Sequence, residues 1–372
     1  MIYLDSGANS FRKQPQLRRA VLDAMDRCAN PGRGGYGAAM AAANEVFRCR
    51  ETAAAMFGCE PDQVVFTSNC THGLNIAIRT LVKPGGKVVV SGFEHNAVTR
   101  PLHGLGADIK AAGRKLFEWE NTLEEFDAAL RQGADAAVFT HVSNVFGYIL
   151  PVAEMAKLCR SRGVPFIIDA AQSAGSLPVS LTELGADFIA MPGHKGLLGP
   201  QGTGILLCGA IPEPLLMGGT GSESIRQDMP DYIPDRAEAG TANVPGIAGL
   251  RAGLEYLRCA GIGKIHEREQ KQARQCAEGL EKLGLRVFHG PHQGGTVSFL
   301  PPGDCEEAAE KLAKLGIAVR AGLHCAPLAH ESAGTLDTGT VRVSFGFDAS
   351  PAQTAGFLRA AAKLWGREFQ KF

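Results

Sequence analysis

Between residues 63 and 208 the chain carries six short runs that are apolar on successive positions rather than on alternate ones: QVVFTS, KVVVSG, DAAVFTHV, PFIIDA, DFIAMP and GTGILLC, starting at Gln63, Lys87, Asp135, Pro165, Asp187 and Gly202. A strand with one face in water alternates apolar and polar side chains, so strands apolar on both faces must be covered on both. The stretches between these runs have helical composition. In LPVAEMAKLCRSRGV, Pro151 stands near a helix start and Gly163 at its stop. Strands alternating with helices in this way predict a large doubly wound α/β domain around a mostly parallel, seven-stranded-type sheet.

The flanks read differently. The opening MIYLDSGANSFRKQP is polar and ends on a proline, which suits an arm lying over another surface rather than a core element. Residues 16–28 and 38–57 have helical apolar spacing and are separated by the loop NPGRGGYG. After AEAGTANVPG comes a long helical region over 246–283, broken around CAGIG. A strand GGTVSFL, a helix over 304–315, a strand IAVRAG, a loop, a strand TVRVSFG and a last helix complete a smaller α+β unit. The expected division is 16–256 for the large domain, with 1–15 and 257–372 forming the small one.

Lys+Arg and Asp+Glu both number 38, so no global field points to nucleic acid or an anionic membrane. No apolar run approaches the ~20 residues of a spanning helix, and no basic-then-apolar leader opens the chain. The expectation is a cytoplasmic protein that acts on a small molecule. Its ten cysteines are scattered without CxxC pairs and read as reduced thiols, most of them in the core.

Ligands in open α/β sheets sit beyond the carboxyl ends of the strands. The residues expected there are Asn69, Thr71 and His72, then Glu94 and His95, Ser143 and Asn144, Asp169 and Gln172, and finally His194 and Lys195 in FIAMPGHKGLLGPQGTGILL. Each alone has an ordinary reading, as a helix cap, a surface imidazole or a solvated lysine. Together they fit pyridoxal 5′-phosphate. Lys195 offers an amine to the aldehyde, Asp169 a carboxylate to the ring nitrogen and His95 a face for the ring. The helix start in TSNCTHGLN, with Cys70 and Thr71, offers an anion cup. GHKG lacks the residue order of a nucleotide P-loop, and GGTGSES lacks the setting of a dinucleotide fingerprint. His324, Cys325 and His330 are weak as zinc ligands, so no metal is expected.

In order and spacing, EHNAV at 94, HVSNVFG at 141, DAAQSAG at 169, PGHKGLLGPQGTGIL at 192 and EAGTAN at 238 resemble the class V aminotransferases, which are fold-type I pyridoxal-phosphate enzymes. VRAGLHCAPLAH at 319 and VRVSFG at 341 resemble their cysteine desulfurase and selenocysteine lyase branch. The resemblance implies that Lys195 holds the cofactor and later moves protons, Asp169 pairs with the ring nitrogen, Gln172 touches the phenolic oxygen and His95 stacks on the ring. It gives the phosphate to Thr71 and His194, and to Thr241 from a neighbouring subunit, hence a homodimer with shared active sites. Asn144 and Arg342 would grip the substrate carboxylate. Cys325 would take sulfur from L-cysteine as a persulfide, leaving L-alanine, and a sulfur-acceptor protein would follow. Selenocysteine lyase activity, or another C–S lyase or epimerase activity in which Cys325 is incidental, are the alternatives. Three positions depart from the family pattern: Pro192 replaces a serine before GHK, Gly32 stands where a histidine is common, and His72 follows Thr71 in place of an acid.

Overall fold

A computed structural model describes residues 1–32 and 34–366; Arg33 of the NPGRGGYG loop lies outside them. The chain starts with a two-residue strand, β1 (Ile2–Tyr3), and two helices, α1 (Pro15–Arg27) and α2 (Gly37–Phe57). It then builds a seven-stranded sheet from β2 (Val64–Thr67), β3 (Lys87–Ser91), β4 (Asp108–Ala112), β5 (Ala136–Thr140), β6 (Phe166–Asp169), β7 (Phe188–Pro192) and β8 (Gly204–Cys208). The order across it is β2-β8-β7-β6-β5-β3-β4. The strands from β3 to β7 pair in parallel, and β8 runs antiparallel to both β7 and β2.

Both faces are covered, as the unbroken apolar runs require. Val88, Val90, Val138, Ile167 and Phe188 enter one core, while Val89, Phe139, Ile168 and Ile189 enter the other. All are 2% exposed or less, and burying each such side chain is worth roughly 1.5–3 kcal/mol. The connecting helices are α3 (Cys70–Leu81), α4 (Asn96–Gly104), α5 (Trp119–Leu130), α6 (Val152–Arg162) and the short α7 (Leu181–Leu184). Pro151 precedes α6 and Gly163 closes it at φ 65°. β4 has no counterpart among the six apolar runs. It is an edge strand whose Asp108 and Lys110 are exposed, so it carries no continuous apolar signal.

The long helical region is two helices, α8 (Val244–Ala260) and α9 (Ile262–Lys282), parted at Gly261, and α1 and α2 pack on α8. Beyond them lie β9 (Arg286–Phe288), β10 (Thr296–Leu300), α10 (Cys305–Lys314), β11 (Ile317–Ala318), β12 (Arg320–Gly322), α11 (Pro327–Ala333), β13 (Thr340–Ser344) and α12 (Pro351–Trp365). A second sheet runs β12-β13-β10-β9, all antiparallel. The single strand expected in IAVRAG is two: β12 joins this sheet, while β11 pairs in parallel with β1. The opening arm is therefore more than a cover. Leu4 is 1% exposed and shares a core with Val297, Phe299 and Phe357.

Candidate active site

β6 and β7 are parallel neighbours, so the segments after Asp169 and Pro192 leave the sheet side by side. The turn holding Lys195 folds back onto the segment after β6. A Cβ on Gly196 would stand 2.2 Å from the Ala174 carbonyl oxygen, and one on Gly193 2.0 Å from Thr203 Oγ1. Only glycine permits these approaches. From above, the arm fastens the turn: the Ser10 N–H and Oγ–H both donate to the His194 carbonyl at 2.9 Å, and Lys13 Nζ donates to the Gly199 carbonyl at 2.7 Å. Burial lowers Lys13 to about 8.

Burial also lowers the pKa of Lys195, against the opposing pull of Asp169, which raises the fraction of free amine at neutral pH. Asp169 is 2% exposed, and its Oδ1 accepts from the Ala171 N–H at 2.9 Å and from Cys70 Sγ at 3.4 Å. Burial, reinforced by Asp169, holds the Cys70 thiol protonated. His95 caps α4, its Nδ1 accepting from the Ala97 N–H at 3.0 Å, and burial depresses its pKa. The ring therefore acts as a neutral imidazole. Glu94, fully buried, accepts from the Thr140 N–H at 2.7 Å, while its Oε2 has no partner. Burial raises it to about 8, so at neutral pH it is mostly the neutral acid.

At the start of α3, Asn69 Oδ1 accepts from the His72 N–H at 2.9 Å, leaving the amides of Cys70 and Thr71 without intrahelical acceptors. Gln172 Nε2 donates to the Gly7 carbonyl at 2.9 Å. His194 bonds the Ala8 backbone, has an unpartnered Nδ1 and is lowered to about 4, mainly by burial. Cys70, Thr71, His95, Asn144, Asp169, Gln172, His194 and Lys195 all line one cavity of about 200 Å³, together with Pro192, which offers no hydroxyl.

Six of the expected residues lie outside that lining: His72, Glu94 and Ser143, and the more distant Cys325, Arg342 and Thr241. Cys325 is exposed in the loop from β12 to α11, where His324 (φ 51°) and Cys325 (φ 56°) are consecutive left-handed residues. The loop is tied to the cavity wall: the Cys325 carbonyl accepts from the Asn96 N–H at 2.7 Å, and the His324 carbonyl from Asn144 Nδ2 at 2.9 Å. Beneath it the His324 and His330 rings stack 5.8 Å apart. Burial pushes these imidazoles down to about 2 and about 4. Arg342, on β13, is 2% exposed; Nη1 donates to the Asn144 carbonyl at 2.9 Å, and Nη2 to Asp5 Oδ1 at 2.7 Å. Thr241 is exposed in a second hollow of about 930 Å³, which Gly32 and His72 also line.

Asp5, Ser10, Lys13 and Asn96 hold this site together and were not singled out from the sequence. Their only trace there is a polar arm interrupted by Leu4, and an asparagine directly after His95.

An amine with lowered pKa, a buried carboxylate, a neutral imidazole and a helix start with free amides are the groups that a phosphorylated pyridine aldehyde requires. The profile of the aminotransferase class-V family matches residues 2–354. A probable cysteine desulfurase of Pyrococcus abyssi is 34% identical over 98% of this chain and 94% of its own length. One from Methanothermobacter thermautotrophicus is 31% identical over 92% and 89%. Among solved structures, the apo cysteine desulfurase of Thermococcus onnurineus superposes with a TM-score of 0.90 at 31% identity, over 98% of this chain and 94% of that one. A cysteine desulfurase of Escherichia coli, solved as its S-sulfonic acid, gives 0.85 at 26% identity, over 97% and 94%.

Proposed function

Because the chain belongs to the class V aminotransferase family and its relatives along nearly its whole length are cysteine desulfurases, we propose that it converts L-cysteine to L-alanine, with the sulfur carried on Cys325. The single observation that carries this reading is the joining of a pyridoxal-type cavity to an exposed thiol loop, through Asn96 and Asn144. The residues fit pyridoxal 5′-phosphate as its site: Lys195 for the aldehyde, Asp169 for the ring nitrogen, His95 for the ring face, Gln172 for the phenolic oxygen, and the α3 start with Cys70, Thr71 and His194 for the phosphate. Bound there, the cofactor supplies an electron sink for charge developing on substrate carbon.

The remaining work belongs to the chain. Lys195 Nζ, once free, takes the proton from the substrate α-carbon and delivers protons back to carbon. Arg342 and Asn144 orient the carboxylate. The Cys325 thiolate attacks the substrate sulfur; an S–S bond forms, the C–S bond breaks, and its electron pair stays with the carbon skeleton, which is protonated to alanine. Exposure of Cys325 leaves the resulting persulfide within reach of an acceptor protein.

The same proposal includes a homodimer in which Thr241 serves the partner's cofactor phosphate. The hollow holding Thr241, and the exposed Phe47, Leu216 and Met217, support an interface on that side. A cytoplasmic location agrees with ten free cysteines. Among the described residues no helix is long and apolar enough to cross a membrane.

Alanine and sulfide release from L-cysteine with a reductant is the test. Wild type should produce both, Lys195→Ala neither, and Cys325→Ser no alanine. A wild type that binds the cofactor but yields no alanine sinks the reading. Selenide release by Cys325→Ser from L-selenocysteine would mark a selenocysteine lyase instead.

A further inference from the structure

We propose that Asp5 is a displaceable internal carboxylate that occupies Arg342 in the resting enzyme and exchanges for the substrate carboxylate; this rests on Arg342 being the substrate's carboxylate grip.

A guanidinium binds a carboxylate bidentately either through Nε and its adjacent Nη2 or through its two terminal nitrogens, and both arrangements use Nη2. In this chain Nη2 donates to Asp5 Oδ1 at 2.7 Å, and Nη1 to the Asn144 carbonyl at 2.9 Å. Nε is buried and has no partner. The fork is thus underused, with an orphan donor beside a nitrogen taken by one carboxylate oxygen. An incoming carboxylate that satisfied Nε and Nη2 together would complete it, and the group in its way is Asp5.

Asp5 has somewhere to go. Its Oδ2 already lies 3.1 Å from Arg320 Nη2 and 3.2 Å from Arg320 Nε. Arg320 is half exposed, so the aspartate can lean onto it without losing a counter-charge. The backbone beside it cannot give way in the same manner. Gly7 donates to Ser344 Oγ at 2.8 Å, and a Cβ there would stand 3.4 Å from Arg342 Cζ. Exchange therefore reduces to a swing of one aspartate side chain between two arginines.

Such a place-holder has two effects. The buried Arg342 charge is paired most of the time in the empty enzyme. Apparent affinity for any carboxylate ligand is also reduced by the fraction of time that Asp5 is away from Arg342. Charge on the ligand, rather than size, is what the exchange selects.

The test measures binding of L-alanine and of L-alaninamide, which lacks the carboxylate, to the holoenzyme through the change in cofactor absorbance. Asp5→Asn should bind L-alanine about tenfold more tightly, with L-alaninamide unchanged, as removal of a competitor present roughly nine-tenths of the time requires. Arg320→Gln takes away the alternative resting place and should weaken L-alanine several-fold, again sparing the amide. Arg342→Gln should abolish the preference for L-alanine over its amide. If Arg342→Gln does so but Asp5→Asn binds L-alanine unchanged or more weakly, Asp5 only orients Arg342 and the exchange is wrong. If Arg342→Gln keeps the preference, the carboxylate grip itself is misplaced. Should Asp5→Asn fail to fold, the direction of the Arg320→Gln effect decides, and tighter L-alanine binding in that variant overturns the exchange.

Discussion

The turn that carries Lys195 and the loop that carries Cys325 are built in opposite ways. The lysine turn is wedged between two strands and the arm, with glycines where any Cβ would collide with backbone or a threonine hydroxyl. The cysteine loop is exposed, puts two side chains into left-handed backbone, and hangs from the cavity wall by two carbonyls. The difference follows the chemistry. On the proposed function, an acid/base that must meet the same carbon at each turnover gains from a fixed seat, whereas a thiol that collects sulfur and then passes it outward gains from a tethered, reachable one.

If the division is real, replacing the thiol should damage chemistry and nothing else. Cys325→Ser is expected to lower alanine formation by at least about a hundredfold, with cofactor absorbance and denaturation midpoint unchanged. A matching fall in stability would show that the loop is structural and dissolve the contrast. Gly196→Ala should do the reverse, costing about 2–3 kcal/mol in chemical denaturation because the new methyl meets the Ala174 carbonyl, with cofactor binding weakened alongside.

The imidazoles under the cysteine loop sharpen the comparison through pH. His324 and His330 are depressed to about 2 and about 4 in the fold, below an unfolded value near 6.5. A depressed histidine adds stability that is complete above about 6.5 and is lost as pH falls toward the folded value, by up to ~1.4 kcal/mol per pH unit for each ring. Denaturation between pH 7 and pH 4.5 should therefore grow easier with acid, and less steeply so in His324→Gln. An unchanged slope would mean that the loop rests on something other than a neutral ring. The smallest effect concerns backbone. At φ 56°, Cys325→Gly should hold stability or raise it by up to about 1 kcal/mol, while Cys325→Val should lower it by about 1–2. Equal midpoints would remove the strain from the description of this loop.

The same contrast explains what could be read from the residues alone. Strands such as KVVVSG announce themselves because both of their faces must be apolar, and the sheet edge then collects His95, Asp169 and Lys195 with little further information. β4 did not, since an edge strand with Asp108 and Lys110 in solvent loses that signal. β9 and α11 are short, and IAVRAG splits at Val319 only because two different partners, β1 and β13, claim its halves. Nor could Asp5, Ser10 or Lys13 be connected with the site, because hydrogen bonds such as those to His194 and Arg342 span most of the chain. The proline before GHK is legible as a missing hydroxyl, whereas the burial that makes Glu94 a neutral acid emerges only from packing.

The tie between Asp5 and Arg342 joins positions 337 residues apart, and β1 pairs with β11. During synthesis the opening segment must therefore wait for nearly the last strand to emerge. Until then Leu4 has no core to enter, and Arg342 lacks its aspartate. Closing so long a loop is slow compared with local helix formation. On the proposed function, the grip of Arg342 on a carboxylate is thus assembled only after β13 has been made and the opening segment has closed onto it.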